Sequence, residues 1–348
     1  MISICMIVKN EARHLAATLA SLAPHFDDIV IVDTGSDDDT KAIARRFTDN
    51  VHDFAWVNDF SAARNASLHY ARHDWVLVVD ADEALESLDK TALEALTAAH
   101  PQSVGRVERI NYLDEGAGVA IVREQVSRLF AKAFYHYSGI IHEQVTPRTG
   151  ATAETFLAPV TLNHVGYQKA VLQQTNKLVR NITLLKQALQ TQPQNPYLWY
   201  QLGKSHYLQE AYPAAIEAFQ QALGFEINFA LEYAEDLIET YGYALINQGD
   251  YAAALDIISF EHYYRSADFL FLKALILMNN ARLQEAVDTF LYCTTLPPGN
   301  KEGVNSFKAR YNIGVILEVS GMKPEALAFY QQCGAYPPAQ EGVKRLNG

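Results

Sequence analysis

Two carboxylates stand one residue apart in Asp80-Ala81-Asp82, directly after the apolar run Trp75–Val79. Carboxylate oxygens are the ligands that Mg²⁺ and Mn²⁺ prefer, and an ion held in this way can bridge two phosphate oxygens. One carboxylate would hold the ion, and the other would reach the ion or a ribose. The alternative is structural, because acidic residues also stabilise the first turn of a helix.

The first hundred residues alternate strand and helix patterns that favour the chemical interpretation. Predominantly apolar runs predict buried strands at Ile2–Val8, Ile29–Val32 and Trp75–Val79, and a further short strand is predicted at Val51–Phe54. Helical periodicity separates them at Ala12–Leu22, Thr40–Phe47 and Ser61–Ala71. This alternation indicates a parallel sheet covered on both faces, which binds ligands at the carboxyl ends of its strands. Three polar clusters follow strand ends and should therefore meet in one crevice: Lys9-Asn10-Glu11, Asp33–Thr40 and Asp80–Glu83.

The remaining chain changes character twice. Short β-type runs within 104–165 predict the mixed half of the same sheet. From Gln168 the pattern is helical, and a two-helix tetratricopeptide pattern appears at Trp199, Leu202, Gly203, Ala215, Phe219 and Ala222. Further copies start near Gly242, Ala274 and Gly314, with insertions near 225–236 and 297–308. We predict an α/β domain at 1–165, a helical linker at 166–195 and an all-α repeat solenoid at 196–348.

Charge excludes two classes of partner. The formal net charge is -12, with 14 Lys+Arg against 23 Asp+Glu in residues 1–165 and 14 against 17 in 166–348. Neither half is basic, which argues against non-specific binding to nucleic acid or to an anionic membrane. An acidic domain that binds a nucleotide diphosphate needs a local cation, either an arginine or a metal ion.

Cysteine usage and hydropathy suggest the compartment. The three cysteines are few and far apart, which suits a reducing cytoplasm without a disulfide framework. Lys273 interrupts the apolar run Phe269–Met278, so no transmembrane helix is indicated. We expect a cytoplasmic protein without membrane insertion.

Five segments together resemble a known enzyme family: Met6–Glu11, Ile31–Ser36 with Asp38 and Thr40, Phe60–Asn65, Asp80–Glu83 and Ile141–Gln144. The chain is similar to inverting family-2 glycosyltransferases of the GT-A fold, a Rossmann-like mixed sheet. The last segment resembles the subgroup with C-terminal tetratricopeptide repeats. That subgroup includes lipopolysaccharide-type sugar transferases and peptide S-glycosyltransferases of the glycocin type.

The resemblance implies how a nucleotide sugar is bound. Asp33 should accept a hydrogen bond from the uracil ring N–H, although an ordinary Asx turn is the alternative. Arg64 should contact the diphosphate, with a surface salt bridge as the alternative. Asn65 should orient a loop rather than touch substrate. The other residues implied at the nucleotide-sugar site are Val8, Asn10, Glu11, Asp80 and Ala81.

The same resemblance implies the metal and the catalytic groups. Asp82 should hold Mn²⁺ or Mg²⁺, and His142 would be a further ligand of that ion. Inverting transfer also needs a general base, for which Glu143 is the candidate beside Asp82 as the second catalytic group. The later part of the domain lacks the Glu-Asp pair of many family-2 enzymes, so Glu83 and Asp114 remain rival bases.

Three hypotheses follow. The first is a metal-dependent inverting transferase that moves a hexose or N-acetylhexosamine from a UDP-sugar to a peptide or protein side chain. Its repeats would present the acceptor or form a homodimer contact. The second has a surface or lipid-linked glycan as acceptor, and the third is a non-catalytic repeat scaffold with a degenerate transferase domain. His164 and Tyr167 lie where the two parts of the chain meet, and a packing role is favoured for both, with closing the site as the alternative.

Overall fold

A computed structural model describes residues 1–115, 118–150, 152–164 and 177–347, without the side chains of 113–115 and 118–120. The side chain of Asp114 and all of Tyr167 therefore lie outside the described residues. The chain divides into two compact units, Met1–Lys177 and Leu178–Gly348. The domain limits at 165 and 195 stay predictions. Within the described residues, no helix has both the length and the apolar character needed to cross a membrane.

The first unit is built on a mixed sheet of eight strands. The described strands of the unit, including two outside this sheet, are β1 (Ile2–Val8), β2 (Ile29–Asp33), β3 (Val51–Asp53), β4 (Trp75–Val78), β5 (Glu83–Leu88), β6 (Val104–Glu115), β7 (Gly118–Ala131), β8 (Tyr135–Ser138), β9 (Gln144–Pro147) and β10 (Thr155–His164). Its helices are α1 (Leu15–Leu22), α2 (Thr40–Ala44), α3 (Phe60–Tyr70) and α4 (Lys90–Ala99). The order across the sheet is β3-β2-β1-β4-β7-β6-β10-β5, and β8 pairs with β9 separately.

The four strands predicted in the first hundred residues form the parallel half of this sheet. β1 lies between β2 and β4 and is parallel to both, and β2 is parallel to β3. Alternate residues of β1 enter two cores: Ile4 and Met6 pack in one with Leu15 of α1, and Cys5 packs in the other with Leu68 of α3. Because both faces are covered, the strand is apolar at every position except Ser3, whose hydroxyl donates to Asp28 Oδ2 at 2.6 Å.

The later strands differ from the prediction. Where short β-type runs were predicted within 104–165, the structure has two long strands, β6 and β7, which pair antiparallel. β5 was not predicted, because its sequence EALESL is polar and lacks the apolar alternation of a strand. It forms the edge of the sheet and pairs only with β10 among the described strands.

The chain from 177 onward is helical, as predicted. Its elements are α5 (Lys177–Thr191), α6 (Pro196–Leu208), α7 (Tyr212–Leu223), α8 (Glu232–Gln248), α9 (Tyr251–Ala254), a 3₁₀ helix (Leu255–His262), α10 (Ala267–Asn279), α11 (Leu283–Cys293), α12 (Phe307–Val319), α13 (Lys323–Gln331) and α14 (Pro337–Asn347). The predicted repeat anchors Gly203, Gly242, Ala274 and Gly314 lie on α6, α8, α10 and α12. The predicted insertion near 297–308 contains a loop that is bonded to α10: the backbone N–H groups of Asn300 and Lys301 donate to the carboxylate of Asp268.

A recurring glycine explains the spacing within the repeats. A Cβ added at Gly203 would lie 2.5 Å from the ring of Phe219, and one at Gly314 would lie 2.6 Å from the ring of Tyr330. The absent side chain lets the second helix of each pair bring a buried aromatic ring against the first.

We expect Gly203→Ala to destabilise the second unit by about 1–3 kcal/mol, the usual cost of overpacking a filled core. Denaturant unfolding followed by circular dichroism measures it. Gly224→Ala is the matched control, because Gly224 has φ -72 and ends α7, and the atoms nearest its added Cβ are carbonyl oxygens at 3.3 Å and 3.6 Å. Equal stability of the two variants would contradict the packing account.

Candidate active site

The loops that follow β1 and β2 are joined by hydrogen bonds. The backbone N–H of Asn10 donates to Ser36 Oγ at 2.9 Å, and Asn10 Oδ1 accepts from the N–H of Asp37 at 2.9 Å. The N–H of Glu11 donates to Thr40 Oγ1 at 2.8 Å. Asn10 has φ 56, a conformation that asparagine adopts more readily than most residues. Two of the three predicted polar clusters thus form one continuous edge of the site.

Asp33 ends β2 and is fully buried. Its Oδ1 accepts from the backbone N–H of Gly35 at 2.9 Å and from that of Ser36 at 2.8 Å, which is the Asx turn named as its alternative role. Its Oδ2 is buried and has no hydrogen-bond partner among the described residues. The turn and a ligand contact therefore do not compete for the same oxygen.

Arg64 is a buried cation rather than a surface one. α3 begins after Asp59, whose Oδ1 accepts from the N–H of Ala62 at 3.0 Å. Arg64 Nη2 lies 2.8 Å from Asp80 Oδ1, and Arg64 Nε donates to Glu143 Oε1. Burial works against the charged form, but the two carboxylates raise the pKa of Arg64 above its ordinary value. Arg64 Nη1 is buried without a hydrogen-bond partner in the part of the chain that the structure describes.

Two arginines that the sequence did not single out complete this arrangement. Arg128 Nη2 lies 2.7 Å from Asp80 Oδ2 and 3.5 Å from Glu83 Oε1, and Arg109 Nη1 lies 3.1 Å from Glu83 Oε1. Glu83, considered above as a rival base, is fully buried as the partner of both. We call the following residues the charge cluster: Arg64, Arg109, Arg128, Asp80, Glu83 and Glu143.

Asn65 positions the segment that brings Glu143 to Arg64. Its Nδ2 donates to the carbonyl of Tyr137 at 2.9 Å, and its Oδ1 accepts from the N–H of Tyr137 at 2.9 Å. The N–H of Phe60, at the start of the same helix, donates to the carbonyl of Ile140 at 2.9 Å. α3 therefore holds β8 and the chain after it, as predicted for Asn65.

Asp82 is buried beside two nitrogen-bearing side chains. Its Oδ2 lies 2.9 Å from Lys177 Nζ and 3.6 Å from His164 Nε2. The other ring nitrogen of His164 is 2.7 Å from Asn111 Oδ1, a contact that fixes the imidazole. Burial opposes ionisation, but the contacts with His164 and Lys177 hold the pKa of Asp82 below its usual range. Lys177 Nζ is also 3.9 Å from Glu11 Oε1, so the third polar cluster meets the first two.

An imidazole that the sequence did not assign to the metal lies beside Asp82. It belongs to His164, which ends β10 and for which packing was favoured over closing the site. His142 lies between β8 and β9 with φ 49, and its carbonyl accepts from Gln144 Nε2 at 2.8 Å. Across the described residues, no group of three His, Cys, Asp or Glu side chains is arranged to hold a metal. His142 as a ligand and Glu143 as a base stay predictions.

Three other predicted residues, Val8, Ala81 and Asp80, form hydrogen bonds or ion pairs within the protein. The carbonyl of Val8 accepts from the backbone N–H of Thr34 at 2.9 Å, and that of Ala81 accepts from Thr18 Oγ1 at 2.8 Å. Both oxygens of Asp80 are bonded to arginines. These contacts fix the loops around the site, and the predicted nucleotide contacts of the three residues stay predictions.

Comparison with known families agrees with this geometry. The model described as Glycosyl transferase family 2 matches residues 3–121, and the model described as Tetratricopeptide repeat matches residues 182–228 and 241–300. The solved structure of YrrB, a TPR protein, is 22% identical with a TM-score of 0.41, and the match covers 50% of this chain and 88% of that one. The two family models, together with the observed mixed sheet and helices, confirm the predicted fold class, an α/β GT-A domain followed by a helical repeat domain.

Three curated relatives are similar over part of their length. A TPR repeat-containing protein of Synechococcus elongatus is 32% identical over 73% of this chain and 64% of its own. The SPbeta prophage-derived glycosyltransferase SunS of Bacillus subtilis is 26% identical over 63% of this chain and 52% of its own. The lipopolysaccharide core biosynthesis glycosyltransferase LpsC of Rhizobium meliloti is 31% identical over 42% of this chain and 57% of its own.

This chain thus spans between half and two thirds of the length of these relatives. The motifs at the strand ends, the mixed sheet that carries them and both family models agree: residues 3–121 match glycosyltransferase family 2, and residues 182–228 and 241–300 match tetratricopeptide repeats.

Proposed function

We propose that this chain transfers a sugar from a UDP-sugar to an acceptor, and the observation that carries the proposal is Asp33 Oδ2. This acceptor oxygen is fully buried at the end of a central strand, with no hydrogen-bond partner within the described ranges. A buried oxygen in that state is costly unless a ligand donates to it, and the ring N–H of uracil is a suitable donor. Next to it, Gly35 has φ +104, and a Cβ added there would meet no atom within 4 Å. This space suits a flat base.

The diphosphate would lie against the charge cluster. Arg64 Nη1 is a donor still available after Asp80 and Glu143 have taken the other two positions of the guanidinium. Arginine is suited to phosphate because its donors form a rigid planar fork. The buried arginines thus supply the local cation that an acidic domain needs.

Asp82 and His164 are the residues that would hold Mn²⁺ or Mg²⁺. Their donor atoms are 3.6 Å apart, and a carboxylate with few protein partners suits ions that keep waters and phosphate oxygens as ligands. When bound there, the ion would stabilise negative charge on the leaving diphosphate. The ammonium of Lys177 contacts the same oxygen of Asp82, so the lysine and the ion compete for it.

Transfer with inversion needs an acceptor, a leaving group and a base. The acceptor oxygen or sulfur attacks the anomeric carbon while the bond from that carbon to the UDP oxygen breaks. The proton of the acceptor passes to a base, for which we retain Glu143. UDP leaves with the electron pair of the broken bond.

The acceptor we favour is a peptide or protein side chain. Residues 182–228 and 241–300 match tetratricopeptide repeats, and repeat solenoids commonly bind extended peptides. The similarity to LpsC supports a glycan acceptor as the second candidate. Incubation with UDP-sugars and both acceptor classes, followed by mass spectrometry, separates the two. Binding of UDP without any turnover would instead favour the scaffold hypothesis.

We expect Asp33→Asn to weaken UDP binding about 10- to 100-fold without loss of the fold. The asparagine Oδ1 keeps both contacts of the turn. The new amide nitrogen is a donor, however, and it would face the N–H donor of uracil without an acceptor between them. Cytosine carries an acceptor at the same ring position, so CDP should lose less affinity than UDP. Isothermal titration of both nucleotides with Mn²⁺ measures the change.

Asp37→Asn is the control, since this exposed carboxylate lies in the same loop. It should bind UDP as the unaltered protein does. If Asp33→Asn kept full UDP affinity, the base would not lie on Asp33, and the proposed nucleotide site would be wrong.

A further inference from the structure

Tyr137 presents a buried hydroxyl to the charge cluster. It lies on β8, is 3% exposed, and packs against Phe130 with ring centroids 5.6 Å apart. Its hydroxyl is buried and has no hydrogen-bond partner among the residues that the structure covers. A buried polar group in this state requires an explanation.

The surroundings of this hydroxyl are charged rather than apolar. The guanidinium carbon of Arg64 lies 5.5 Å from the centre of the Tyr137 ring. The charges acting on the hydroxyl belong to Arg64, Arg128, Glu143 and Asp80. Both oxygens of Asp80 are engaged by arginines, and Arg64 donates to Glu143. These carboxylates thus already have arginine partners, and within the described residues no hydrogen bond joins them to the hydroxyl.

This hydroxyl is a donor at neutral pH. Burial, the largest cause, raises the pKa of Tyr137 to about 12, although the two arginines oppose the shift. Arg64 Nη1, in the same cluster, is a second donor for which the described residues supply no acceptor. Two donors that lack an acceptor fit a ligand with several acceptor oxygens, such as a phosphate.

We propose that Tyr137 binds the leaving diphosphate, with its hydroxyl donating to a phosphate oxygen beside Arg64 Nη1. The inference rests on the proposed function and adds a binding residue that the sequence motifs did not contain. Both donor atoms are shielded from solvent in this arrangement, so phosphate binding includes a side-chain shift that opens them. The hydrogen bond from this uncharged donor becomes stronger as negative charge grows on the diphosphate, so it contributes to turnover as well as to binding.

Tyr135 provides a matched comparison on the same strand. It is also 3% exposed and packs on the same Phe130, with centroids 6.1 Å apart. Its hydroxyl, unlike that of Tyr137, donates to the carbonyl of Gln102 at 2.6 Å. The two tyrosines thus differ mainly in whether the protein itself satisfies the hydroxyl.

The test compares Tyr137→Phe with Tyr135→Phe in the full chain, by titration with UDP and Mn²⁺, by donor turnover, and by thermal unfolding without nucleotide. Tyr137→Phe should bind UDP about tenfold more weakly and turn over more slowly, since one charge-assisted hydrogen bond is lost. Its Tm should be unchanged or higher, because an unsatisfied polar group is removed. Tyr135→Phe should show the reverse, with a lower Tm and normal UDP affinity.

The outcomes separate this inference from the proposed function. If the unaltered protein and Tyr135→Phe bind UDP and Tyr137→Phe binds it equally well with equal turnover, Tyr137 is not a diphosphate ligand, and the proposed function stands. If Tyr137→Phe lowers the Tm as Tyr135→Phe does and leaves UDP affinity unchanged, its role is structural. If the unaltered protein binds no UDP, the proposed function fails and this inference fails with it.

Discussion

Replacing Asp82 with alanine should lower sugar transfer by at least about 10²–10³-fold, the usual cost of losing a group that stabilises charge in the transition state. Asp82 is buried at the end of the loop after β4, and its Oδ2 is the atom at which His164 Nε2 and Lys177 Nζ meet. On the proposed function, the variant would lose the carboxylate that holds the ion beside the leaving diphosphate. Release of UDP from the donor, measured with saturating Mn²⁺, gives the rate.

The control for Asp82→Ala is Asp39→Asn. Asp39 is an exposed carboxylate that precedes α2 without a capping hydrogen bond from its side chain. This variant should keep normal turnover, and circular dichroism should show that both variants are folded. Full activity of Asp82→Ala with metal present would refute the metal role of this residue.

Lys177 allows a sharper form of the same experiment. If a divalent ion is the working cation, chelation should stop transfer, and Lys177→Gln should bind Mn²⁺ at least as tightly as the unaltered protein. The reason is that the ammonium of Lys177 and the ion compete for Asp82 Oδ2. If the lysine itself is the cation, transfer should survive chelation, and Lys177→Gln should be as damaging as Asp82→Ala.

The parallel half of the fold was predictable because its signals are local. β1, β2 and β4 are covered on both faces, so nearly all of their residues are apolar and their burial is visible in the sequence. β5 could not be found in that way, because an edge strand with the sequence EALESL is defined by its partner β10 rather than by its own pattern.

The same distinction between local signals and long-range pairing applies to the residues of the candidate site. Asp33 ends β2, Arg64 lies in the first half of α3 and Asp82 follows β4, and short local motifs are enough to single them out as candidates. Arg128 contacts a carboxylate 48 positions away, and its strand pattern carried no sign of that partner. His164 was taken for a packing residue because its relation to Asp82 depends on the pairing of β10 with β5. Contacts of this kind depend on the register between strands that are distant in the chain, and local sequence patterns do not reveal that register.

The second large effect is expected for Arg64→Met, which should lower the free energy of unfolding by about 3–5 kcal/mol and abolish UDP binding. Methionine preserves much of the side-chain volume but leaves Asp80 and Glu143 with one cation fewer in a buried place. Natural domains are stable by about 5–15 kcal/mol, so the variant should remain folded but closer to its limit. Urea unfolding gives the stability, and titration below the transition gives the affinity for UDP.

Two companions of Arg64→Met separate charge from geometry. Arg64→Lys keeps a positive charge, but a single ammonium lacks the planar fork that reaches two carboxylates and a phosphate, so it should recover part of the stability and little of the UDP affinity. Arg46→Met removes an exposed arginine of the same unit and should change neither quantity.

If Arg64→Met were as stable as Arg46→Met and still bound UDP, the charge cluster would be neither a structural nor a phosphate-binding element. Loss of stability with UDP affinity intact would leave it structural, and the diphosphate would have to lie elsewhere.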